Sequence, residues 1–312
     1  MKDKIIAIIG PTASGKSDLA VRLAKRFSAR GGPALGWKGA EIISADSRQV
    51  YRGLNIGSGK ITKREMRGIP HHLLDVVKAN SPKRFSVSDY QKLGQKAIGE
   101  IIKRGKLPII CGGTGFYVDA LLKNYALPAV PPNPKLRGQL EKLPTEKLAQ
   151  KLKILDPKRF KNIDRNNRPR LIRAIEIATK LGQVPPLDTK NNSWNSLQIG
   201  INLSEDKLRQ NIHKRLLKRL RAGLINEVKK LHENGVSWKR LEAFGLEYRF
   251  GAKLLQQKPR HGGVNREEIT NLEREIWHYA KRQMTWWKRD KNIKWVESYE
   301  EAERLTRDFI RK

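Results

Sequence analysis

Residues 5–27, IIAIIGPTASGKSDLAVRLAKRF, pass from an apolar run through a glycine-rich turn into an amphipathic segment. Ile5 to Ile9 reads as a fully buried strand, and DLAVRLAKRF carries its apolar residues at helical spacing. Between them GPTASGKS fits the pattern G-x-x-x-x-G-K-[ST], with Gly10, Gly15, Lys16 and Ser17 at the required places. In the turn formed by Gly10, Pro11, Thr12, Ala13, Ser14 and Gly15, backbone N–H groups can wrap an anion. The following helix adds its positive dipole end, Lys16 a full charge, and Ser17 a hydroxyl able to ligate Mg²⁺. The stretch predicts a phosphate-binding loop, without distinguishing ATP from a diphosphate ester.

Outward from that loop, strand and helix patterns alternate: IIAIIG, a helix over 15–27, EIISA, HLLDV, a helix over 86–103, KLPIIC and a helix from Gly115 to Leu122. The alternation predicts an α/β fold, a P-loop NTPase-like parallel sheet flanked by helices. In such sheets ligands lie beyond the carboxyl ends of the strands, so the loops GPTASGKS, DSRQVY and GGTGFY are expected to converge. The proline-rich NYALPAVPPNPKL opens a charged helical stretch that ends near QVPPLDTKNNS, read as an inserted helical subdomain. The expected organisation is a first core part over 1–122, the inserted subdomain over 123–195, and a return strand (SLQIGINL) with C-terminal helices over 196–312. ARGGPALGWKG, residues 29–39, is expected to be a surface loop.

Composition narrows the setting. The chain has 312 residues and 38% hydrophobic content, enough for a large core. A single cysteine, Cys111, excludes an intramolecular disulfide and fits a reducing cytoplasm. No signal segment or membrane span is expected, nor an obligate protein partner, and a monomer is the default. Lys and Arg number 65 against 31 Asp and Glu, a net charge of +34, which implies a polyanionic partner such as RNA.

Asp46 follows the strand EIISA, which places a carboxylate across the mouth of the phosphate loop. It could act as a general base, as a partner of a Mg²⁺-bound water, or as the cap of a local turn. Position alone leaves the three open.

The segments GPTASGKS, EIISADSRQVYRGLNIGS, GIPHHLLDV, FSVSDYQKLGQKAI, LPIICGGTGFYVDALL, NNRPRLIRAIEI, AGLINEV and YAKRQMTWWKRD occur in the order and approximate spacing of the tRNA dimethylallyltransferases, and the chain resembles that family nearly end to end. The resemblance implies transfer of a dimethylallyl group from dimethylallyl diphosphate to N6 of the adenosine immediately 3′ to the anticodon, with Mg²⁺ as cofactor. The loop over Gly10–Ser17 would then hold the donor diphosphate, with Ser17 on the metal. Asp46 would be the base, and Lys16 and Arg215 would meet the diphosphate. By the same resemblance Asp46, Ser47, Arg48, Gln49 and Thr114 would touch the substrate nucleotide. Read alone, Thr114 could instead cap the helix that follows it.

For the tRNA anticodon stem-loop, Arg165, Arg168, Arg170 and Arg173 in DRNNRPRLIRAIE resemble the family stretch that meets the anticodon arm. Arg282 lies among rings and cations in WHYAKRQMTWWKRD, a mixture suited to phosphates and unstacked bases. Trp277, Trp286 and Trp287 are expected to be core, and His71 and His72 structural. FGLEYRF at 244–250 and the ARGGPALGWKG insertion depart from the family pattern. A kinase using ATP and a non-enzymatic RNA-binding NTPase are the competing readings of the same loop.

Overall fold

The structure, a computed structural model, describes residues 3–28, 36–189, 194–257 and 264–311. Among these the strands are β1 (Asp3–Ile9), β2 (Ala40–Ser44), β3 (Tyr51–Arg52), β4 (His71–His72), β5 (Val77–Lys78), β6 (Leu107–Gly112), β7 (Trp194–Ile201) and β8 (Lys294–Val296). Helices α1 (Lys16–Arg26), α2 (Lys63–Met66), α3 (Val87–Lys103) and α4 (Gly115–Leu122) belong to the first third. They are followed by α5 (Pro134–Leu140), α6 (Thr145–Leu155), α7 (Pro157–Lys161) and α8 (Arg168–Leu181). The C-terminal part holds α9 (Glu205–Arg221), α10 (Leu224–Glu233), α11 (Trp238–Phe244), α12 (Leu246–Gln256), α13 (Arg266–Trp287) and α14 (Tyr299–Arg311).

Six strands form one sheet in the order β4-β2-β6-β1-β7-β8, and every pairing in it is parallel. The apolar run of β1 needs partners on both edges and both faces, and it has them. Ile6 and Ile8 point into a cluster with Leu19, Leu23, Ala302 and Ile310 of α1 and α14. Ile5, Ala7 and Ile9 point the other way, among Tyr90, Ile98, Val118, Leu121 and Trp287 of α3, α4 and α13. Period-2 alternation in a doubly covered strand thus feeds two cores rather than one. Each flanking helix starts where its sequence permits: Gly15 takes a left-handed φ of 88° before α1, and Ser86 and Asp89 make a capping box at the start of α3.

HLLDV is not the strand its apolar content suggests. Only His71–His72 pairs with β2, at Ile42 and Ile43, and the chain then turns through left-handed Leu73 (φ 62°) and Asp75 (φ 57°). Those angles cannot continue a ladder, so Val77–Lys78 pairs separately with Tyr51–Arg52. β8 is a short edge strand among the expected C-terminal helices, paired to β7 through Ile199, Gly200 and Ile201. Of the ARGGPALGWKG loop, residues 29–35 lie outside the described residues; Lys38 there donates its N–H to Gly105 O at 2.8 Å.

The chain divides into two compact units, Met1–Asn124 with Asn192–Lys312, and Tyr125–Asn191. The smaller unit is helical, α5 to α8 around Leu140, Leu148, Leu152, Leu171 and Ile175. Its polar centre is Glu176, buried, which accepts two hydrogen bonds from Arg137 at 2.7 Å each and one from the N–H of Asn133 at 2.8 Å. In the larger unit, a third apolar cluster joins Val50, Tyr51 and Leu54 to α10, α11 and α12.

Candidate functional site

At the end of β1 the chain makes the turn that the glycines foretell. Gly10 (φ 152°), Ala13 (φ 65°) and Gly15 (φ 88°) bring the loop round, and the Ser14 N–H donates to Pro11 O at 3.3 Å. Lys16 folds back to donate to the same carbonyl at 3.0 Å. Lys16 is half-buried, and burial lowers its pKa from 10.5 to about 8; Arg215 pushes the same way, while Asp46 opposes.

Arg215 arrives from α9, and its guanidinium donates to Thr12 Oγ1. Burial above all, then the neighbouring Arg219, lowers its pKa to about 9. Asn211, one turn earlier on the same face, donates to Ala13 O at 3.2 Å. Arg219, one turn later, is buried and paired instead with Glu247 of FGLEYRF, while Lys214 and Arg221 are exposed. The helix therefore commits Arg215 to the loop. Two half-buried cations, each penalised for its charge, make a place where a bound anion relieves the penalty.

Asp46 faces this pair. Its Oδ1 accepts from the N–H groups of Arg48 (2.8 Å) and Gln49 (3.4 Å), so the turn-capping role is real. Among the described residues its second oxygen has no hydrogen-bond partner, and its charge acts on Lys16, Arg215 and Tyr279. One oxygen fixes the turn, and the other stays unengaged among the described residues. Thr114 does not cap α4: its hydroxyl accepts the N–H of Ser47 at 3.0 Å, and its own N–H reaches Ala45 O at 3.1 Å. The DSRQ and GGTG loops are thereby tied to each other. Gln49 accepts from Ser44 Oγ at 3.0 Å and donates to Gly59 O at 3.3 Å, while Arg48 lies 6.0 Å from the Phe244 ring. Behind them Tyr90 stacks on Tyr117 at 4.0 Å in the core, and burial raises both phenols, so each stays neutral.

Three residues of this neighbourhood lie in stretches that the sequence marks, but none of the three is itself marked there. Gln283 of α13 is buried, takes the Thr12 N–H at 2.8 Å and donates to Gly113 O at 2.8 Å. Glu227 accepts three successive N–H groups, those of Asn55 (3.1 Å), Ile56 (2.7 Å) and Gly57 (3.0 Å), plus the Tyr248 hydroxyl at 2.9 Å. That carboxylate holds the segment after DSRQVY on α10. The third is Glu247, the partner of Arg219. Gln283, Glu227 and Glu247 all stand inside quoted stretches, but nothing local marks which distant backbone each will meet.

A metal has a simple donor here. Mg²⁺ held on substrate phosphates takes one or two protein oxygens and keeps several waters. Ser17 is exposed at the start of α1, so the loop offers a hard hydroxyl oxygen of the right kind. Among the described residues no group of three or more His, Cys, Asp or Glu could hold a metal by itself. His71 and His72 meet Ile69 O at 2.8 Å and Glu41 at 2.6 Å.

In the smaller unit, Arg168 is engaged by Thr145 Oγ1 (3.2 Å) and Glu141 O (3.1 Å), and Arg173 by Glu176 (3.3 Å) and Val130 O (2.7 Å). Arg165 lies over the Phe160 ring at 4.9 Å, and Arg170 is exposed. On α13 Arg282 is exposed beside Tyr279; Trp277 and Trp287 are buried, and Trp286 donates to Asp119 at 3.0 Å. No helix among the described residues is long and apolar enough to cross a membrane.

A parallel sheet with this glycine-rich loop at the end of an inner strand puts the protein in the P-loop-like α/β class. The model of the IPP transferase family matches residues 49–290, and the chain belongs to that family. It is 42% identical over 305 residues to tRNA dimethylallyltransferase 1 of Syntrophus aciditrophicus, covering 95% of this chain and 94% of the relative. With tRNA dimethylallyltransferase 1 of Geotalea uraniireducens it shares 40% over 302 residues, 95% and 93% of the two chains. The crystal structure of the tRNA isopentenylpyrophosphate transferase of Bacillus halodurans superposes with a TM-score of 0.68 at 35% identity, over 99% of this chain and 96% of that one. A eukaryotic dimethylallyltransferase acting on tRNA shares the fold at a TM-score of 0.77 and 23% identity, over 99% of this chain and 79% of that one.

Proposed function

We propose that this protein transfers a dimethylallyl group from dimethylallyl diphosphate to N6 of the adenosine immediately 3′ to the anticodon of a tRNA, releasing diphosphate. The observation that carries the reading is the convergence of Lys16 and Arg215 on one loop with the half-free carboxylate of Asp46 opposite. Departure of diphosphate concentrates negative charge on the leaving oxygens, and catalysis needs donors aimed at that charge more than at the ground state. The loop amides, the Lys16 ammonium and the Arg215 guanidinium supply them. Mg²⁺ on the Ser17 hydroxyl, when bound, would neutralise further charge on the same phosphates.

The acceptor needs the opposite help. Adenine N6 is a weak nucleophile because its lone pair is delocalised into the ring. A carboxylate that takes the N6 proton as the C–N bond forms lowers the barrier, and Asp46, held rigid through Oδ1, keeps an oxygen for that task. Thr114, which ties the DSRQ turn to the loop after β6, lies beside Asp46 where the base would meet it. The target must leave its stack, at a cost of a few kcal/mol that is least in a single-stranded loop. The charge of +34 suits a tRNA, with Arg165, Arg170 and Arg282 among the exposed cations for its phosphates.

Label on the prenyl group and label on the ATP γ-phosphate, offered with tRNA and with free adenosine phosphates, separate this reading from a kinase. Prenyl label should enter tRNA without ATP turnover. Asp46→Asn should lower the transfer rate by roughly two to four decades and leave tRNA affinity nearly intact. Near-normal turnover in that variant removes Asp46 from the base role.

A further inference from the structure

Gln283 lies outside the nucleophile, the base and the donor cations, yet it occupies the junction between the two halves of the site. Its side chain is buried, 7% exposed, on the face of α13 that meets the sheet. The amide is used at both ends: Oε1 accepts the Thr12 N–H at 2.8 Å, and Nε2 donates to Gly113 O at 2.8 Å. Thr12 is the residue whose hydroxyl meets Arg215, and Gly113 precedes Thr114, whose hydroxyl holds the DSRQ turn at Ser47. A carboxamide carries a donor and an acceptor in one rigid plane, so it bridges an N–H to a C=O with both atoms held in register.

A second observation agrees. A Cβ at Gly113 would collide with Gln283 Nε2, so that glycine is the residue that admits the amide. Three residues further along α13, Trp286 does the same at Gly115, where a Cβ would strike the indole, and it donates to Asp119 of α4 at 3.0 Å. The helix therefore grips the loop after β6 through Gln283, the helix α4 that follows it through Trp286, and the phosphate loop through Gln283 again.

We infer that Gln283 is a positioning residue that sets the phosphate loop and the Thr114 loop at a fixed separation, so that the leaving group and the attacking nitrogen meet in line. The inference rests on the transferase reading above. By taking the Thr12 N–H, Gln283 also withholds that amide from the ligand, which leaves the later amides of the loop, with Lys16 and Arg215, to carry the phosphate charge. Displacements of an ångström in such a geometry cost about a hundredfold in rate.

The test uses Gln283→Met, which keeps length and apolar bulk but has neither amide group, together with Gly113→Ala. In Gln283→Met, kcat is expected to fall about tenfold to a hundredfold and the dissociation constant for inorganic pyrophosphate, read by calorimetry, to rise about tenfold, with tRNA affinity within about threefold of wild type. Gly113→Ala should reproduce the loss of kcat in the wild-type background and add little on top of Gln283→Met, because the flexible Met end yields where the bonded amide cannot. A merely structural role predicts a lower melting temperature with kcat and pyrophosphate binding unchanged well below it, and that result overturns the inference. So does a Gly113→Ala effect of equal size in both backgrounds. If Gln283→Met does not fold, Gly113→Ala alone must still lower kcat with the fold intact, or the inference fails. Absence of prenyl transfer by the wild-type protein would sink the transferase reading instead, while pyrophosphate binding still reports on the Thr12 limb.

Discussion

Replacing Lys16 by Met should make the free protein more stable and disable its donor site at once. In the folded chain the Lys16 pKa falls from 10.5 to about 8, chiefly through burial. A drop of that size corresponds to about 3 kcal/mol of penalty on the charged form at neutral pH. The substitution also gives up the hydrogen bond to Pro11 O, a loss of about 1 kcal/mol, so a net gain of about 2 kcal/mol is expected. For a protein of this size that raises the melting temperature by about 4 °C. Because the folded pKa lies below the unfolded one, the unfolded chain binds more protons between about pH 8 and 10.5. Wild-type stability therefore rises with pH across that window, and the gap to Lys16→Met closes there. Pyrophosphate at about a hundred times its dissociation constant should stabilise wild type by about 2.7 kcal/mol and the variant not at all. Scanning calorimetry of both proteins, at pH 7 and pH 10 with and without pyrophosphate, reads all three effects. A variant that melts at or below wild type at pH 7 and still responds to pyrophosphate would refute the reasoning.

Other perturbations act through the same network. Arg165→Ala with Arg170→Ala should weaken binding of an anticodon stem-loop and flatten the log K against log salt line by about one unit for each phosphate left without its arginine, while kcat at saturating tRNA changes much less; an unaltered slope would assign the charge elsewhere. Glu227→Ala leaves the N–H groups of Asn55, Ile56 and Gly57 without their acceptor and should cost about 3 kcal/mol in chemical denaturation, with faster amide exchange over residues 54–59. Glu41 is buried, which by itself would raise its pKa, yet hydrogen bonds from Lys106, Arg104 and His72 bring it down to about 2. Its contribution is therefore present above about pH 4.5 and lost as pH falls toward 2, so Glu41→Gln should be less stable than wild type at pH 6 and should converge with it in acid denaturation.

The phosphate loop was readable because its determinants are local: an apolar strand, glycines where φ is positive, and a lysine one residue into the helix, all within residues 5–27. Where the outcome depends on distant partners, local signals misled. HLLDV has the apolar content of a strand, but β2 offers only two residues of pairing there, and Leu73 and Asp75 take left-handed angles that end it. The three-residue β8 exists only because β7 presents an edge to it, which nothing in its own charged surroundings announces. The cations of α9 show the limit most clearly. Arg215 and Arg219 stand one turn apart and are chemically equivalent in the sequence, yet Glu247, 28 positions beyond Arg219, claims one and leaves the other for Thr12.

That division of labour shows what FGLEYRF does for the site. Glu247 neutralises Arg219 inside the fold, and Tyr248, next to it, joins Glu227 in holding the segment after DSRQVY. With Arg219 satisfied, the net positive charge at the loop is that of Lys16 and Arg215, balanced in part by Asp46. The departing diphosphate carries more negative charge than this positive surplus and is held there by Coulomb attraction, and removal of Glu247 would put a third unpaired cation within reach of the loop and should trap pyrophosphate after the reaction. Glu247→Gln is therefore expected to slow turnover through product release, visible as a burst of modified tRNA followed by a slow steady state. A single-phase time course at wild-type rate would show that the Arg219–Glu247 pair serves the fold alone.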